Sequence, residues 1–368
     1  MAVSSDPFPG STGRLAVYSP PLGLFCAIGD DFPSVAVVSV DAVSWGAQNN
    51  VGTFSACYAA TWSDDLLLFV ALGQKGFPVT SPDGLTWTEQ AQMPSANTST
   101  QILGVCWSSP LNLFVAVGNP GAPGTQCIWT SADGVNWALA TSPVAGHWSG
   151  VAWSDSLSLF VAVGQDFPTN TTSLITSPDG DVWTAQGEPF GLYTPGFWVG
   201  MSVCWLDESG LFVAGGNGSV AASAGSQVIT SSDGINWTQR DVTSILGTGF
   251  AYLNTITAGM CGGITTVRAM GADDTTANIE VVSLDGGITW ASEVCPYDGG
   301  GGAGLCFGGG FGSRRFFTVG DGTGVTAQMI SCSSQIVYQR IYGIPVEIDD
   351  NGTETVRELL VGIVGAAP

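Results

Sequence analysis

Short apolar runs, each bounded by residues that favour turns, recur along this chain of 368 residues. The clearest run follows the pattern Leu-Phe-(Val/Cys)-Ala-x-Gly and occurs at 24–29, 68–73, 113–118, 159–164 and 211–216. A second apolar run precedes each copy and, in most copies, ends in an aromatic residue followed by serine. The apolar positions show no helical period, and Val, Thr, Trp and Phe are abundant. Runs of this length and composition predict β-strands.

A second motif, Ser-x-Asp-Gly-x-x-Trp, follows these runs and gives the chain a regular period. It reads SPDGLTW from Ser81, SADGVNW from Ser131, SPDGDVW from Ser177 and SSDGINW from Ser231, with weaker copies from Ser39 and Ser283. Its aspartates, at intervals of 42 to 54 residues, are Asp41, Asp83, Asp133, Asp179, Asp233 and Asp285. Self-similarity at such a period indicates a repeat architecture.

Each repeat holds four short strands separated by turn residues, and one such unit cannot bury both of its faces. Radial packing of several units buries the faces and leaves only short edges. We therefore predict an all-β fold, a seven-bladed β-propeller of four-stranded antiparallel blades. Six blades is the main alternative, because the first or last unit could be accessory; the seventh unit has Ser333 in place of the aspartate. The propeller is expected over 14–343, between an N-terminal arm at 1–13 and a C-terminal arm or closing strand at 344–368.

Tryptophan and cysteine occupy positions that the repeat explains. Ten of the 13 tryptophans end a first strand or open a fourth strand, where flat rings bury apolar area between packed sheets. The nine cysteines include no Cys-x-x-Cys pair, and five of them stand in apolar runs. Small buried thiols behave in this way, so we expect a reduced protein with at most one disulfide.

The charge balance excludes several classes of partner. Thirty acidic residues and eight basic ones give a net charge of −22. Nucleic acid requires a basic stripe and anionic membranes require clusters of lysine and arginine, so we expect neither partner. No apolar run approaches the ~20 residues that span a bilayer, and we expect no membrane insertion. The first residues lack the basic and apolar regions of a Sec signal peptide, so we expect no Sec export.

The aspartate motif resembles the Asp-box (BNR) repeat of sialidase-like propellers, whose pattern is S-x-D-x-G-x-T-W. The residues that match this pattern position for position are Ser283, Asp285, Gly287, Thr289 and Trp290. The other copies are one residue shorter. In that family the box is a structural hairpin between the third and fourth strands, on the face opposite the binding site. The resemblance implies that all six aspartates stabilise turns and take no part in chemistry. Short polar side chains and glycine commonly have this structural role in turns.

Candidate contact residues gather in the loops expected at the opposite face. A Phe-Pro pair recurs after the second strand, and aromatic residues mark two connections between repeats. Aromatic rings beside carboxylates and amides suit recognition of a sugar or of a protein surface. The alternative is that each Phe-Pro pair folds back onto its own blade. The predicted contact residues are Phe32, Phe77, Phe167, His147, Trp148, Tyr193 and Trp198.

The parts of an enzyme are not evident in the sequence. A sialidase needs three arginines around the substrate carboxylate, and none of the seven arginines has the F-R-I-P context of that family. A glycosidase needs two facing carboxylates, and no pair stands out. A single histidine, His147, cannot form a histidine metal site, and no calcium-loop spacing is present. We therefore predict a non-enzyme without catalytic residues, cofactor or metal ion.

A lysine-poor propeller rich in glycine and tryptophan, with degenerate SPDGxxW repeats, resembles structural proteins of tailed bacteriophages. The resemblance implies a virion protein, either a capsid decoration protein or a tail or fibre adhesion module. Such a protein would present a propeller face to other virion proteins or to a host surface glycan, and its terminal arms would join a larger assembly. The alternatives are an Asp-box glycoside hydrolase or sialidase-like enzyme, and a carbohydrate-binding lectin or scaffold of the same fold. Its location would then be cytoplasmic, or extracellular without a Sec signal.

Overall fold

The computed structural model describes most of residues 13–293, and beyond them it describes only the backbone of six strands between 306 and 356. The gaps before residue 294 are 30–33, 42–43, 53–55, 122–125, 168–170, 191–199, 217–227, 241, 243–244, 246–250, 262–263 and 274–277. All of the described sheets are antiparallel, and within each sheet every strand pairs with the one that follows it along the chain. The fold is therefore a series of local meanders.

The first three sheets each contain four strands. Blade 1 consists of β1 (Gly13–Ser19), β2 (Leu24–Gly29), β3 (Val35–Ser39) and β4 (Asn49–Asn50). Blade 2 consists of β5 (Cys57–Ser63), β6 (Leu68–Gly73), β7 (Val79–Ser81) and β8 (Thr88–Glu89). Blade 3 consists of β9 (Gln101–Ser108), β10 (Leu113–Asn119), β11 (Ile128–Ser131) and β12 (Ala138–Leu139).

The next three sheets repeat this order. Blade 4 consists of β13 (Gly146–Ser154), β14 (Leu159–Asp166), β15 (Leu174–Ser177) and β16 (Thr184–Ala185). Blade 5 consists of β17 (Gly200–Leu206), β18 (Leu211–Gly216), β19 (Val228–Ser231) and β20 (Thr238–Arg240). Blade 6 consists of β21 (Ala251–Cys261), β22 (Ile264–Asp273), β23 (Asn278–Ser283) and β24 (Ala291–Glu293).

The described strands form six four-stranded blades, so the prediction of seven is corrected to its stated alternative of six. Among the residues described after blade 6, the next sheet has three strands, β25 (Cys306–Gly312), β26 (Arg315–Gly320) and β27 (Ala327–Ser331). This unit lacks the aspartate that organises the turn before a fourth strand elsewhere. A last sheet pairs β28 (Gln339–Ile341), β29 (Ile344–Ile348) and β30 (Glu354–Val356), and it crosses the boundary predicted between 343 and 344.

The position of each strand in its blade explains its composition. First strands of successive blades contact one another, from β1 through β5, β9, β13 and β17 to β21. Second strands are almost fully buried, as in β6, where all residues after Leu68 are buried. A strand covered on both faces requires a continuous apolar run rather than alternation, and the Leu-Phe-Val-Ala-x-Gly pattern supplies one. Fourth strands are short and largely exposed, as at Thr88–Glu89.

Aromatic rings stack in the same order in four consecutive blades. In blade 3, Phe114 lies between Trp107 and Trp137, with ring centroids 4.3 and 6.3 Å away. The equivalent sets are Trp62–Phe69–Trp87, Trp153–Phe160–Trp183 and Trp205–Phe212–Trp237. Tilted pairs at these separations add to the stabilisation that area burial supplies. The tryptophan side chains at these repeat positions therefore contribute to the packing between strands.

Five cysteines with described side chains form no disulfide among the residues that the structure describes. They are Cys26, Cys57, Cys106, Cys127 and Cys204. Burial raises the pKa of Cys26, Cys127 and Cys204 to about 12. A thiol with so high a pKa is scarcely ionised at neutral pH and is a poor nucleophile.

Candidate functional site

The two ends of the blades differ in construction. In an antiparallel meander, the turn between the first and second strands and the turn between the third and fourth strands lie at the same end. We call this end of the six four-stranded blades the turn face. The opposite end, which we call the loop face, carries the second-to-third-strand loops and the connections between blades. The turn face carries the aspartate motif, and the loop face carries the predicted contact residues.

The aspartate motif forms a hydrogen-bonded turn, shown most fully by blade 3. Asp133 Oδ1 accepts hydrogen bonds from the Ser131 hydroxyl and from the backbone N–H groups of Val135 and Asn136, at 3.1, 2.8 and 2.7 Å. The Asn136 side-chain amide donates to Asp133 Oδ2 at 2.7 Å. The Trp137 indole N–H donates to the Gly134 carbonyl at 3.1 Å. Both carboxylate oxygens are thus occupied by the turn itself.

The same acceptor pattern recurs in the other blades. The aspartates that accept hydrogen bonds from their own turns are Asp41, Asp83, Asp179, Asp233 and Asp285. Partial burial acts to raise the pKa of Asp133, but the hydrogen bonds from Asn136 and Val135 outweigh it and lower the pKa to about 2. The Asn236 side chain and neighbouring backbone N–H groups likewise lower the pKa of Asp233 to about 2. These carboxylates are anionic turn acceptors throughout the neutral range.

The glycine of the motif packs against the preceding blade. Gly134 has a φ of +73°, and a Cβ atom there would lie 2.8 Å from Cγ2 of Val70 in blade 2. Gly180 and Gly234 have the same relation to Val115 and Val161 in the blades before them. The turn therefore needs glycine both for its conformation and for this close approach, and it links adjacent blades.

The predicted contact residues of the loop face have differing environments. Phe167 is 36% exposed, and its backbone N–H donates to the Ala145 carbonyl at 2.8 Å. Phe77 is half-buried and packs against a core cluster that contains residues of both blade 1 and blade 2. Phe32, Tyr193 and Trp198 lie outside the described residues.

The prediction that His147 and Trp148 lie in a connection between blades is wrong, because both residues belong to β13. Trp148 is fully buried, and His147 is 1% exposed. Burial lowers the pKa of His147 to about 4, so the imidazole is neutral at physiological pH. Since β13 extends to pair Gly146 with Asp166, these side chains are enclosed and are not presented to a partner at the surface.

A pair of carboxylates beside β14 was not singled out by sequence analysis. Glu188 Oε1 accepts a hydrogen bond of 2.7 Å from the Ser173 hydroxyl. Burial raises the pKa of Glu188 to about 7 despite this hydrogen bond, and the charge of Asp166 adds to the rise. Asp166 Oδ1 accepts hydrogen bonds from the backbone N–H groups of Thr171 and Thr172, at 2.7 and 2.8 Å. The only sequence signal for this pair is a glutamate directly before Pro189-Phe190 in an otherwise uncharged connection.

Other chemistry is limited in the part of the chain that the structure describes. Arg268 forms a buried ion pair with Glu280, so its guanidinium is directed to a protein carboxylate. No group of three or more histidine, cysteine, aspartate or glutamate side chains suited to a metal ion occurs among the described residues. Within the same residues, no helix is long and apolar enough to cross a membrane.

Comparison with known proteins places the chain by fold. No family model and no curated protein matches the sequence. A structure of YCF48 bound to D1 peptide matches with a TM-score of 0.57 and 14% identity over 89% of this chain and 94% of that one. A catalytically inactive virginiamycin B lyase from Staphylococcus aureus with quinupristin matches with a TM-score of 0.63 and 9% identity over 87% and 94%.

A third match is the GH74 enzyme of Niastella koreensis, with a TM-score of 0.58 and 17% identity, over 88% of this chain and 43% of that enzyme. The chain is therefore a β-propeller protein. These structures include a GH74 enzyme, a lyase and a peptide-bound protein, so the fold does not decide whether a chain is an enzyme.

Proposed function

We propose that this chain is a non-enzymatic recognition or structural propeller that works as part of a larger assembly. The observation that carries the proposal is the division of side chains between the two ends of the blades. At the loop face, His147 and Trp148, which were predicted to make contacts, are buried within their own blade. Large apolar side chains, by contrast, remain exposed in the turns, as at Ile235. This division suits contact with another macromolecule better than catalysis.

A virion is the assembly that the sequence favours. The composition and the degenerate aspartate repeats support a capsid decoration protein or a tail or fibre adhesion module, as the resemblance to tailed-phage structural proteins implies. In this proposal the chain contacts other virion proteins, or a host surface glycan, through one end of its blades. The segment 344–368, which includes β29 and β30, would join the chain to the particle.

We infer that the ring of blades is completed by the three-stranded sheet of β25–β27. Strand β25 contacts both β1 in blade 1 and β21 in blade 6. A sheet in contact with the first and last four-stranded blades takes the place of a further blade, with three strands among the described residues. The proposed recognition body is then a closed ring, and a closed ring holds its turns in a fixed arrangement.

A glycoside hydrolase is the second candidate, because one observation favours it. Glu188, with its pKa raised to about 7 beside Asp166, has the protonation that a general acid needs at neutral pH. Against this function, Asp166 Oδ1 is occupied by the backbone of Thr171 and Thr172, as in a carboxylate that anchors a loop.

A panel of glycans incubated with the full chain tests both candidates, with binding and product measured by mass spectrometry. The proposal expects no product from any glycan. Product formation that is lost in Glu188→Gln would replace the proposal with the hydrolase. Binding without product, unchanged by Glu188→Gln, would identify a glycan-recognition propeller.

A further inference from the structure

Exposed large apolar side chains gather at one end of the propeller. Among the described residues they all lie on or beside the turn face, with Phe167 as the one exception. In the third-to-fourth-strand turns, Leu85, Val182 and Ile235 are 43%, 57% and 53% exposed. The first-to-second-strand turns contribute Leu22, Leu66, Leu111 and Leu157. Single exposed apolar residues need no explanation, but their recurrence on one face of successive blades marks an interaction surface.

Leu67 shows that folding alone does not account for this apolar content. In blades 1 to 5, the last residue of the first-to-second-strand turn has a positive φ, and the residues equivalent to Leu67 are Gly23, Asn112, Ser158 and Gly210. Leu67 has a φ of 49° and is 52% exposed. A leucine is strained in this conformation, and burial does not compensate for the strain, whereas glycine or asparagine adopts it readily. A binding role explains why an apolar side chain stands there.

The charge of the same turns is entirely of one sign. The third-to-fourth-strand turns of the six blades contain seven acidic residues, and the first-to-second-strand turns contain five. Neither set contains a lysine, arginine or histidine. Asp181 and Glu208 are exposed members of these sets. A surface of this kind attracts cations and repels anions.

We propose that the turn face binds a basic protein segment in which apolar side chains stand between lysines or arginines. The inference rests on the proposed function and names the chemistry of its partner. Apolar side chains of the segment would cover Leu67, Ile235 and their counterparts, while its cations would meet the acidic turns. A second copy of this chain fits less well, because two turn faces would bring like charges together.

The experiment uses the full chain and three synthetic peptides of equal length, composed of leucine and lysine, leucine and glutamate, or serine and lysine. Binding is measured by fluorescence anisotropy at low and physiological ionic strength. The leucine–lysine peptide is expected to bind at least about tenfold more tightly than either of the other two.

Two sets of variants locate the binding. Leu67→Asn with Ile235→Ser removes apolar area, and Asp181→Asn with Glu208→Gln removes charge. The apolar pair should weaken binding by about tenfold or more, and the charge pair should weaken it and reduce its dependence on salt. Phe167→Ser, which removes an exposed apolar side chain at the loop face, should bind as the unchanged chain does. Leu67→Asn alone should weaken binding without lowering the melting temperature, which separates lost contact from lost folding.

Absence of binding to the leucine–lysine peptide would overturn this inference, as would equal affinity in the turn-face variants. Loss of binding in Phe167→Ser alone would place recognition at the loop face; the inference would then be wrong while the proposed recognition function stands. Turnover of a glycan would overturn the proposed function whatever the peptides do. The two failures are therefore distinguishable.

Discussion

Gly134 carries two separate constraints, and a pair of substitutions measures each of them. Its φ of +73° disfavours any side chain, and an added Cβ would lie 2.8 Å from Val70 of the preceding blade. Gly23 has a similar φ of +61° but no heavy atom within 4 Å of an added Cβ. Comparing alanine at the two positions therefore separates backbone strain from contact between blades.

We expect Gly134→Ala to lower the free energy of unfolding by about 2–4 kcal/mol, because left-handed strain and overpacking both contribute. Gly23→Ala should lower it by about 1–2 kcal/mol, from strain alone. Urea denaturation of the two variants checks the difference. Equal losses at the two positions would show that the glycine turn does not need its close approach to the preceding blade.

Glu188 should make stability depend on pH in a direction unusual for a carboxylate. Its pKa is about 7 in the folded chain and 4.5 in an unfolded one. Its contribution to the free energy of unfolding is therefore fully present below pH 4.5. The contribution is lost as pH rises to about 7, since the unfolded chain releases its proton first. His147, with a folded pKa of about 4, acts oppositely: stability is lost as pH falls from 6.5 toward 4. The two effects partly offset each other in the unmodified protein.

Glu188→Gln removes the pH-dependent effect of Glu188 and keeps that of His147, so it should change how the free energy of unfolding depends on pH. The free energy of unfolding of the variant minus that of the unmodified protein should increase from about pH 4 to about pH 8. The increase should be on the order of 1–2 kcal/mol, allowing for partial solvent screening. Urea denaturation at the two pH values measures this gain. A stability difference that is the same at both pH values would contradict the raised pKa.

The aspartate turn acts as an element, since one carboxylate holds several backbone and side-chain donors. Asp133→Ala removes all of these acceptors, and we expect a loss of about 1–2 kcal/mol, reduced by the partial exposure of the turn. Asp181→Ala is the matched control, because Asp181 enters its own turn through its backbone N–H. Thermal unfolding compares the two variants. Unchanged stability of Asp133→Ala together with loss of ligand binding would assign this aspartate to recognition instead of structure.

The element scale also shows what sequence can and cannot predict. Runs such as Leu68–Gly73 could be predicted as strands, because a strand that is buried on both faces requires a continuous apolar run. His147 and Trp148 were expected in a connection between blades, but a bulge between Trp148 and Gly150 lets β13 extend through them. The environment of Glu188 was not predictable, since the burial of one carboxylate depends on how the loop after β14 packs against the connection after β16.

At the scale of the whole molecule, the number of blades depends on residues that have lost the repeat signature. Six copies of the aspartate motif correspond to the six four-stranded blades. The seventh set of apolar runs forms the three strands β25–β27, and without the aspartate turn no fourth strand follows among the described residues. Sequence therefore predicted the existence of this unit but not its strand number.

Two truncations test whether β25–β27 closes the ring. A chain ending at residue 337 keeps that sheet and loses β28–β30, whereas a chain ending at residue 293 loses both. Because β25 contacts both β1 and β21, the shorter chain would leave the inner strands of blades 1 and 6 without a neighbour between them. We expect the chain ending at 337 to unfold cooperatively near the temperature of the full chain, and the chain ending at 293 to lose that transition. If both unfold cooperatively at the same temperature in calorimetry, six blades close the ring by themselves and β25–β27 is an accessory sheet.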